Sequence, residues 1–375
     1  MSLFPSPAAG ADLLRRDPVV RRSRAVLLAG QAPSGALVAS PTFPVYAYSW
    51  LRDGSFCAQA LDLLGETAAA DAFHLWAART VLAHEPLARE SMAAIRAGVD
   101  KPPYLPTRFT LDGQVEDEVD AWPNFQLDGY GTWLRAVADR ADGELPGEVE
   151  AAVRLVADYL AATWTVDCND CWEEPGDGQH TSTLLAVASG LSAAADLLRD
   201  RALHETADAV TARLLERHVR DGRLTKSATS HGVDGSLLWL GTSFALDGVD
   251  AEALRAATVT AVRDDLLVPG GGVRRYLGDS YYGGGEWLLL TSWLGWHAVR
   301  DGDRALSDHC ASWVRGNAGA GGSLAEQTTD HPQVPDMVGH WEGEWGPVAD
   351  PLLWSHAMDT IHAASVLEAG WGVGV

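Results

Sequence analysis

The sequence predicts an all-α fold, an (α/α)6 toroid whose six helical hairpins stand in a ring. Three observations carry that expectation. Apolar residues recur at three- and four-residue spacing in about twelve segments spread along nearly all of the 375 residues. Strand signals are sparse and short. The connections between segments alternate between two kinds, one dense in Trp, Tyr, Gly and charge, the other short and plain.

The first segment spans 9–29 and leads into YAYSWLRDG (46–54), which opens the second at 53–65. The plain link DLLGETAAADA (62–72) joins it to 67–84. AWPNFQLDGYG (121–131) opens 126–141, and RADGELPGE (140–148) joins that to 147–163, where AAVRLVADYLAAT keeps one apolar face. CWEEPGDG (171–178) opens 181–199, and LRDRALHE (198–205) leads on to 202–219. HGVDGS (231–236) opens 234–246, followed by 251–266. RRYLGDSYYGGGEW (274–287) opens 285–299, followed by 302–316, and DPLLWSH (350–356) opens the last segment, 354–368. One stretch, YLPTRFTLDGQV (104–115), reads as a hairpin turning at Asp112-Gly113. In a ring, every decorated stretch falls at the same end, around the N-termini of the inner helices. An open solenoid is the rival arrangement, and the lack of a fixed-length repeat counts against it. No Pro/Ser-rich linker divides the chain, so residues 1–375 read as a single domain.

Composition narrows the partners. Charges sum to 28 − 51 = −23, and no basic run exceeds a dipeptide. Nucleic acid and anionic membranes need a positive stripe, so neither is expected as a partner. The start of the chain lacks the basic-then-apolar pattern of a secretion signal, and no apolar run approaches a membrane span. The four cysteines, Cys57, Cys168, Cys171 and Cys310, include one C-x-x-C, too few ligands for a structural zinc. Reduced thiols in a cytoplasmic protein, with no metal and no organic cofactor, are the expectation.

The decorated loops then serve as walls of one pocket. They supply aromatic rings, carboxylates and arginines, but no serine or cysteine nucleophile motif. Rings that stack on C–H faces and polar groups that fork hydroxyls suit a sugar. Glycoside cleavage needs two carboxyl groups. Glu173 or Glu174 offers one, and Glu326 in GGSLAEQTTDH (321–331) the other. Each has a plainer reading: adjacent glutamates at a helix start are often solvated charge, and Trp50, Trp122, Trp172, Trp287 and Trp354 suit a core equally well. Their shared placement in one alternate set of loops argues for the pocket.

These stretches resemble glycoside hydrolase family 15, the glucoamylases, glucodextranases and bacterial relatives, over about residues 46–360. The resemblance implies that Arg52 and Asp53 hold the hydroxyls of the non-reducing glucose, with Tyr46 and Trp50 shaping its pocket. Trp122 takes a substrate-side place. In the Trp-Glu-Glu motif Trp172 precedes Glu173, the implied general acid, and Glu174, which would bind substrate and tune its neighbour. Arg275 would contact sugar, with Asp279 supporting its loop. SLAEQ points to Glu326 as general base, and LLWSHA sets Trp354 against the −1 sugar, with His356 in place of a tyrosine. The implied reaction inverts the anomeric carbon, which calls for carboxyls about 6.5–9.5 Å apart. Glu173 is then expected to stay protonated near neutral pH, raised by its apolar surroundings and nearby anions, while Glu326 stays ionised.

Departures from the family narrow the substrate. The chain has no room for an N-terminal β-sandwich or a starch-binding domain, which favours a short oligosaccharide over a polymer. A long segment, 328–353, carries Trp341, Glu342, Glu344 and Trp345 and is expected to wall off the aglycone side through its tryptophans. Compact bacterial isomaltose glucohydrolases share this layout, so isomaltose is the expected substrate; an α,α-trehalase and a maltose-type α-1,4-glucosidase are the alternatives within the family. From other classes, a sugar 2-epimerase on the same fold would use pocket histidines such as His180, His231 or His356, and a phosphorylase would have no working base at Glu326.

Overall fold

The computed structural model describes residues 4–116, 122–141, 145–174 and 178–372. Its helices, in order, are α1 (Pro7–Arg16), α2 (Pro18–Ala29), α3 (Leu51–Leu63), α4 (Thr67–Ala83), α5 (Glu85–Arg96), α6 (Asp128–Arg140), α7 (Gly147–Thr163), α8 (Thr181–Leu198), α9 (Arg201–Arg217), α10 (Glu252–Leu266), α11 (Leu288–Asp301), α12 (Arg304–Gly316), α13 (Asp336–Trp345) and α14 (Leu353–Glu368). The fold is an all-α toroid. Helices α3, α6, α8, α11 and α14 pack in an inner ring, and a 3-10 helix, Gly235–Trp239, fills the sixth place between α8 and α11. Helices α4, α7, α9, α10 and α12, with the α1–α2 pair, lie outside. One buried apolar cluster runs from Ala9 to Ala364 through the ring.

The inner helices are apolar nearly all round, as a buried helix must be. Helix α8 is long and apolar enough to span a membrane, which corrects the sequence reading that no run approaches this. Here it is a core helix, buried from Thr181 to Ala195. It meets α6 at a glycine notch: a Cβ on Gly190 would sit 2.3 Å from the carbonyl oxygen of Gly131. That contact lets the two backbones touch, which no larger side chain allows.

Several expected elements differ. The segment 9–29 is two helices, because Pro18 holds Asp17 extended (φ −107°, ψ 112°). The Asp17 carboxylate then caps α2 through the Val19 and Val20 amides and pairs with Arg315 at 2.8 Å. The expected helix over 234–246 shrinks to one 3-10 stretch, Gly235–Trp239: Leu240 is extended (φ −66°, ψ 120°) and Gly241 follows at φ +85°, outside right-handed helix. The turn at Asp112-Gly113 forms, but its strand pairs elsewhere: β1 (Ser49–Trp50) and β2 (Arg108–Phe109) are antiparallel partners. Another hairpin, β3 (Val219–Arg220) with β4 (Arg223–Leu224), turns at Asp221-Gly222, both at positive φ, as a primed turn requires. A third pair, β5 (Val273–Arg274) and β6 (Glu286–Trp287), opens α11. Helix α5 is new, and α13 replaces part of the expected loop over 328–353.

Candidate active site

The decorated loops meet at one end of the toroid around a pocket of about 800 Å³. Each inner helix begins there, so each loop delivers its side chains from a fixed backbone. Strand β1 pins Trp50, and the first turn of α3 carries Arg52 and Asp53 into the floor. Arg52 is buried and donates to Gln126 at 2.9 Å and Asp128 at 3.0 Å, with Asp53 at 3.3 Å and Glu173 at 3.9 Å. Two hydrogen bonds hold its fork, and three carboxylates within 4.0 Å balance its charge. Burial pushes the Asp53 carboxyl up to about 6, with Arg52 opposing. Trp354, at the start of α14, stacks on Phe56 (5.4 Å, 13°) beneath the Arg52 guanidinium.

Glu173 sits in a strained turn. Its φ of +66° is costly for a residue with a Cβ, and such strain persists only where surroundings over-determine it. Asp170 does so: its carbonyl accepts from the Glu173 amide at 3.0 Å, and its Oδ1 accepts from the amides of Trp172 and Glu174 at 3.0 and 3.1 Å. The turn aims the Glu173 carboxyl at Trp50 and Gln126, whose indole and amide N–H groups both donate to Oε1. Oε1 is therefore the acceptor oxygen.

Glu326 lines the same pocket. Its Oε1 accepts from the Tyr46 hydroxyl at 3.0 Å, Tyr281 OH lies 2.8 Å from Tyr46 OH, and Oε2 has no protein partner. Arg275 is chelated by Asp279 (2.6 and 2.7 Å) and ringed by Tyr281, Trp172 and Trp287, with its guanidinium 5.1–5.5 Å from their centres. Trp172 is itself oriented by its indole N–H, which donates to Asp234 at 2.9 Å.

The mouth belongs to α13. Trp345 stacks on Trp122 (5.7 Å, 29°), and Trp341 donates to the Ser280 carbonyl at 3.0 Å. Arg108 supports Trp122 from behind, 4.0 Å from its ring. Thirteen residues given a catalytic or sugar-binding place from the sequence line this one pocket: Tyr46, Trp50, Arg52, Asp53, Trp122, Trp172, Glu173, Glu174, Arg275, Glu326, Trp341, Trp345 and Trp354. Glu342 and Glu344 of the same segment are exposed instead. Ala121 and residues 175–177 of the quoted loops lie outside the described residues. His356 turns away: it accepts from the Leu324 amide through Nε2 and faces Ser23 through Nδ1, fully buried. Sequence reasoning missed Tyr281, Gln126 and Asp128, although all three stand inside the stretches it quoted.

The carboxyl electrostatics differ from expectation. Burial raises Glu173, as foreseen, but it also raises Glu326, to about 8. Arg275 and the Tyr46 hydroxyl oppose that rise without cancelling it. The charges of Asp53 and Glu173 add to that rise. Geometry separates them where charge does not: Glu173 has Oε1 held by Trp50 and Gln126, while Glu326 has an unpartnered Oε2.

Cys168 and Cys171 are buried free thiols, both pushed up by burial, and no group of three or more His, Cys, Asp or Glu among the described residues is disposed to hold a metal ion.

Comparison with known proteins agrees with this geometry. The family model for glycosyl hydrolases family 15 matches residues 14–359. An isomaltose glucohydrolase of Kribbella flavida is 38% identical over 94% of this chain and 93% of its own length. A solved glycosidase variant in complex with glucose superposes with a TM-score of 0.86 at 36% identity, covering 96% of this chain and 98% of that one. A bacterial glucoamylase complexed with acarbose shares the fold at TM-score 0.71 and 19% identity, over 95% of this chain and 56% of that one.

Proposed function

The chain belongs to glycosyl hydrolases family 15, and from that premise we propose that this glycoside hydrolase removes β-glucose from the non-reducing end of short α-glucosides by inversion, with isomaltose preferred. The observation that carries the reading is two carboxyls on one pocket walled by tryptophans, Glu173 with Oε1 held by Trp50 and Gln126, and buried Glu326 with Oε2 unpartnered.

The terminal glucose enters until its hydroxyls meet Arg52 and Asp53, with Tyr46, Trp50 and Trp354 against its faces. Glu173 gives its proton to the glycosidic oxygen as the C1–O bond breaks and the electron pair leaves with that oxygen. A water attacks C1 from the opposite side, and Glu326 takes its proton. Aqueous exchange then returns both carboxyls to their starting states. The exposure gradient supports this orientation: Arg52, Asp53 and Glu326 are buried, whereas the Glu174 side chain is 32% exposed nearer the mouth. The leaving sugar then lies among Glu174, Arg275, Trp122, Trp341 and Trp345. The stacked Trp122 and Trp345 narrow the way in, which supports a short substrate over a polymer.

Isomaltose is favoured by the 38% identical relative of that specificity, which matches along almost its whole length. The epimerase reading loses support because no histidine lines the pocket among the described residues. Comparing kcat/KM for isomaltose, maltose and trehalose tests the linkage. Isomaltose is expected to lead by at least about tenfold, a difference of about 1.4 kcal/mol in transition-state binding. A lead by trehalose or maltose replaces the linkage and leaves the mechanism untouched.

A further inference from the structure

The fourth decorated stretch, HGVDGS (231–236), takes no part in the reaction above, yet it reaches the catalytic turn. Asp234 caps the 3-10 helix through the Ser236 amide at 2.8 Å and accepts the Trp172 indole N–H. Between Asp234 and the turn lies Lys226. Its ammonium is 3.1 Å from Glu174 Oε2, 3.5 Å from Asp170 Oδ2 and 3.5 Å from Asp234 Oδ2. It also lies 3.3 Å from the centre of the Tyr276 ring, and the Tyr276 hydroxyl donates to the other oxygen of Glu174. The backbone beneath is fixed, since the Lys226 amide donates to Gly232 and its carbonyl accepts from Thr181 at the start of α8.

Three carboxylates in one partly buried cluster repel unless a cation stands among them. Lys226 is the cation shared by all three. Asp170 clamps the strained turn at Glu173, and Glu174 faces the leaving sugar. We propose that Lys226 is a positioning residue for leaving-group recognition: it holds Glu174 and the Asp170 clamp in the geometry that receives the departing sugar. The inference rests on the proposed function, in which Glu174 lies on the leaving-group side.

A substrate without a sugar leaving group separates this role from general support. α-Glucosyl fluoride occupies the glucose end alone, and its fluoride departs without a proton from Glu173. With Lys226→Met, kcat/KM for the preferred disaccharide is expected to fall about 10²-fold, the cost of a small misplacement of binding groups, while hydrolysis of the fluoride falls only several-fold. Lys226→Gln keeps a hydrogen-bond donor without the charge, carries the same expectation, and serves if the methionine variant does not fold. Lys226→Arg keeps the charge and is expected to stay within about tenfold of the parent on the disaccharide, because a guanidinium replaces the ammonium imperfectly. Equal losses on both substrates in the neutral variants would make Lys226 a folding residue only and overturn the proposal. So would unchanged disaccharide hydrolysis. If the parent enzyme itself cleaves none of the three disaccharides while hydrolysing the fluoride, the substrate reading fails first.

Discussion

Glu173→Gln is expected to reduce kcat for the preferred disaccharide by about 10³-fold, while hydrolysis of α-glucosyl fluoride falls far less. The contrast follows from the leaving group. A sugar alkoxide is a poor leaving group and needs a proton as the C1–O bond breaks; fluoride needs none. Glutamine preserves the acceptor oxygen that meets Trp50 and Gln126 but has no proton to give. The turn at Glu173 is held by Asp170 through the main chain, so the substitution leaves its backbone in place. Initial-rate kinetics on the two substrates check this. Equal losses on both would remove Glu173 from the role of acid.

Glu326→Gln is expected to behave in the opposite way, lowering both substrates together by about 10³-fold or more, because each needs an activated water whatever leaves. It carries a second expectation, in stability. Glu326 has a folded value of about 8 against an ordinary 4.5, so its neutral form is the one the fold favours. The stabilisation from that neutral carboxyl is complete below about pH 4.5 and is lost as pH rises through 8. The glutamine variant cannot ionise, so it is expected to melt a few degrees above the parent at pH 8.5, with the difference closing near pH 5. Thermal unfolding followed at the two pH values measures this. A catalytic loss coupled to a gain in stability is the mark of a group buried for function rather than for the fold. The same ionisation governs rate: Glu326 must lose its own proton before it can take one from water, so kcat/KM rises from pH 5 towards neutrality.

The ring and its pocket were legible because their signals are local. Inner helices such as α8 are apolar on every face, and the stretches before them concentrate Trp, Tyr and Gly, so alternation along the chain maps directly onto one end of the toroid. The acid pair at 173–174 and Glu326 stood out for the same reason. What was missed depends on single dihedrals or on distant chain. Extended Leu240 and Gly241 at positive φ stop the fourth inner helix, and Pro18 splits the first segment through its effect on Asp17. Strand β2 pairs with β1 across some sixty residues, which no turn signal at Asp112-Gly113 foretells. Lys226 has no motif around it; its meaning arises only where two loops bring Asp170, Glu174 and Asp234 to one ammonium. The rise of Glu326 is likewise a property of tertiary burial, invisible in SLAEQ.

The most direct test of the central claim is the anomer released first. Proton NMR of the enzyme with isomaltose in phosphate-free buffer resolves the two forms of glucose before they interconvert. The account predicts that β-glucose appears first, with Glu173→Gln and Glu326→Gln both silent on the same timescale. Initial release of α-glucose would contradict inversion, and with it the assignment of Glu326 to the water.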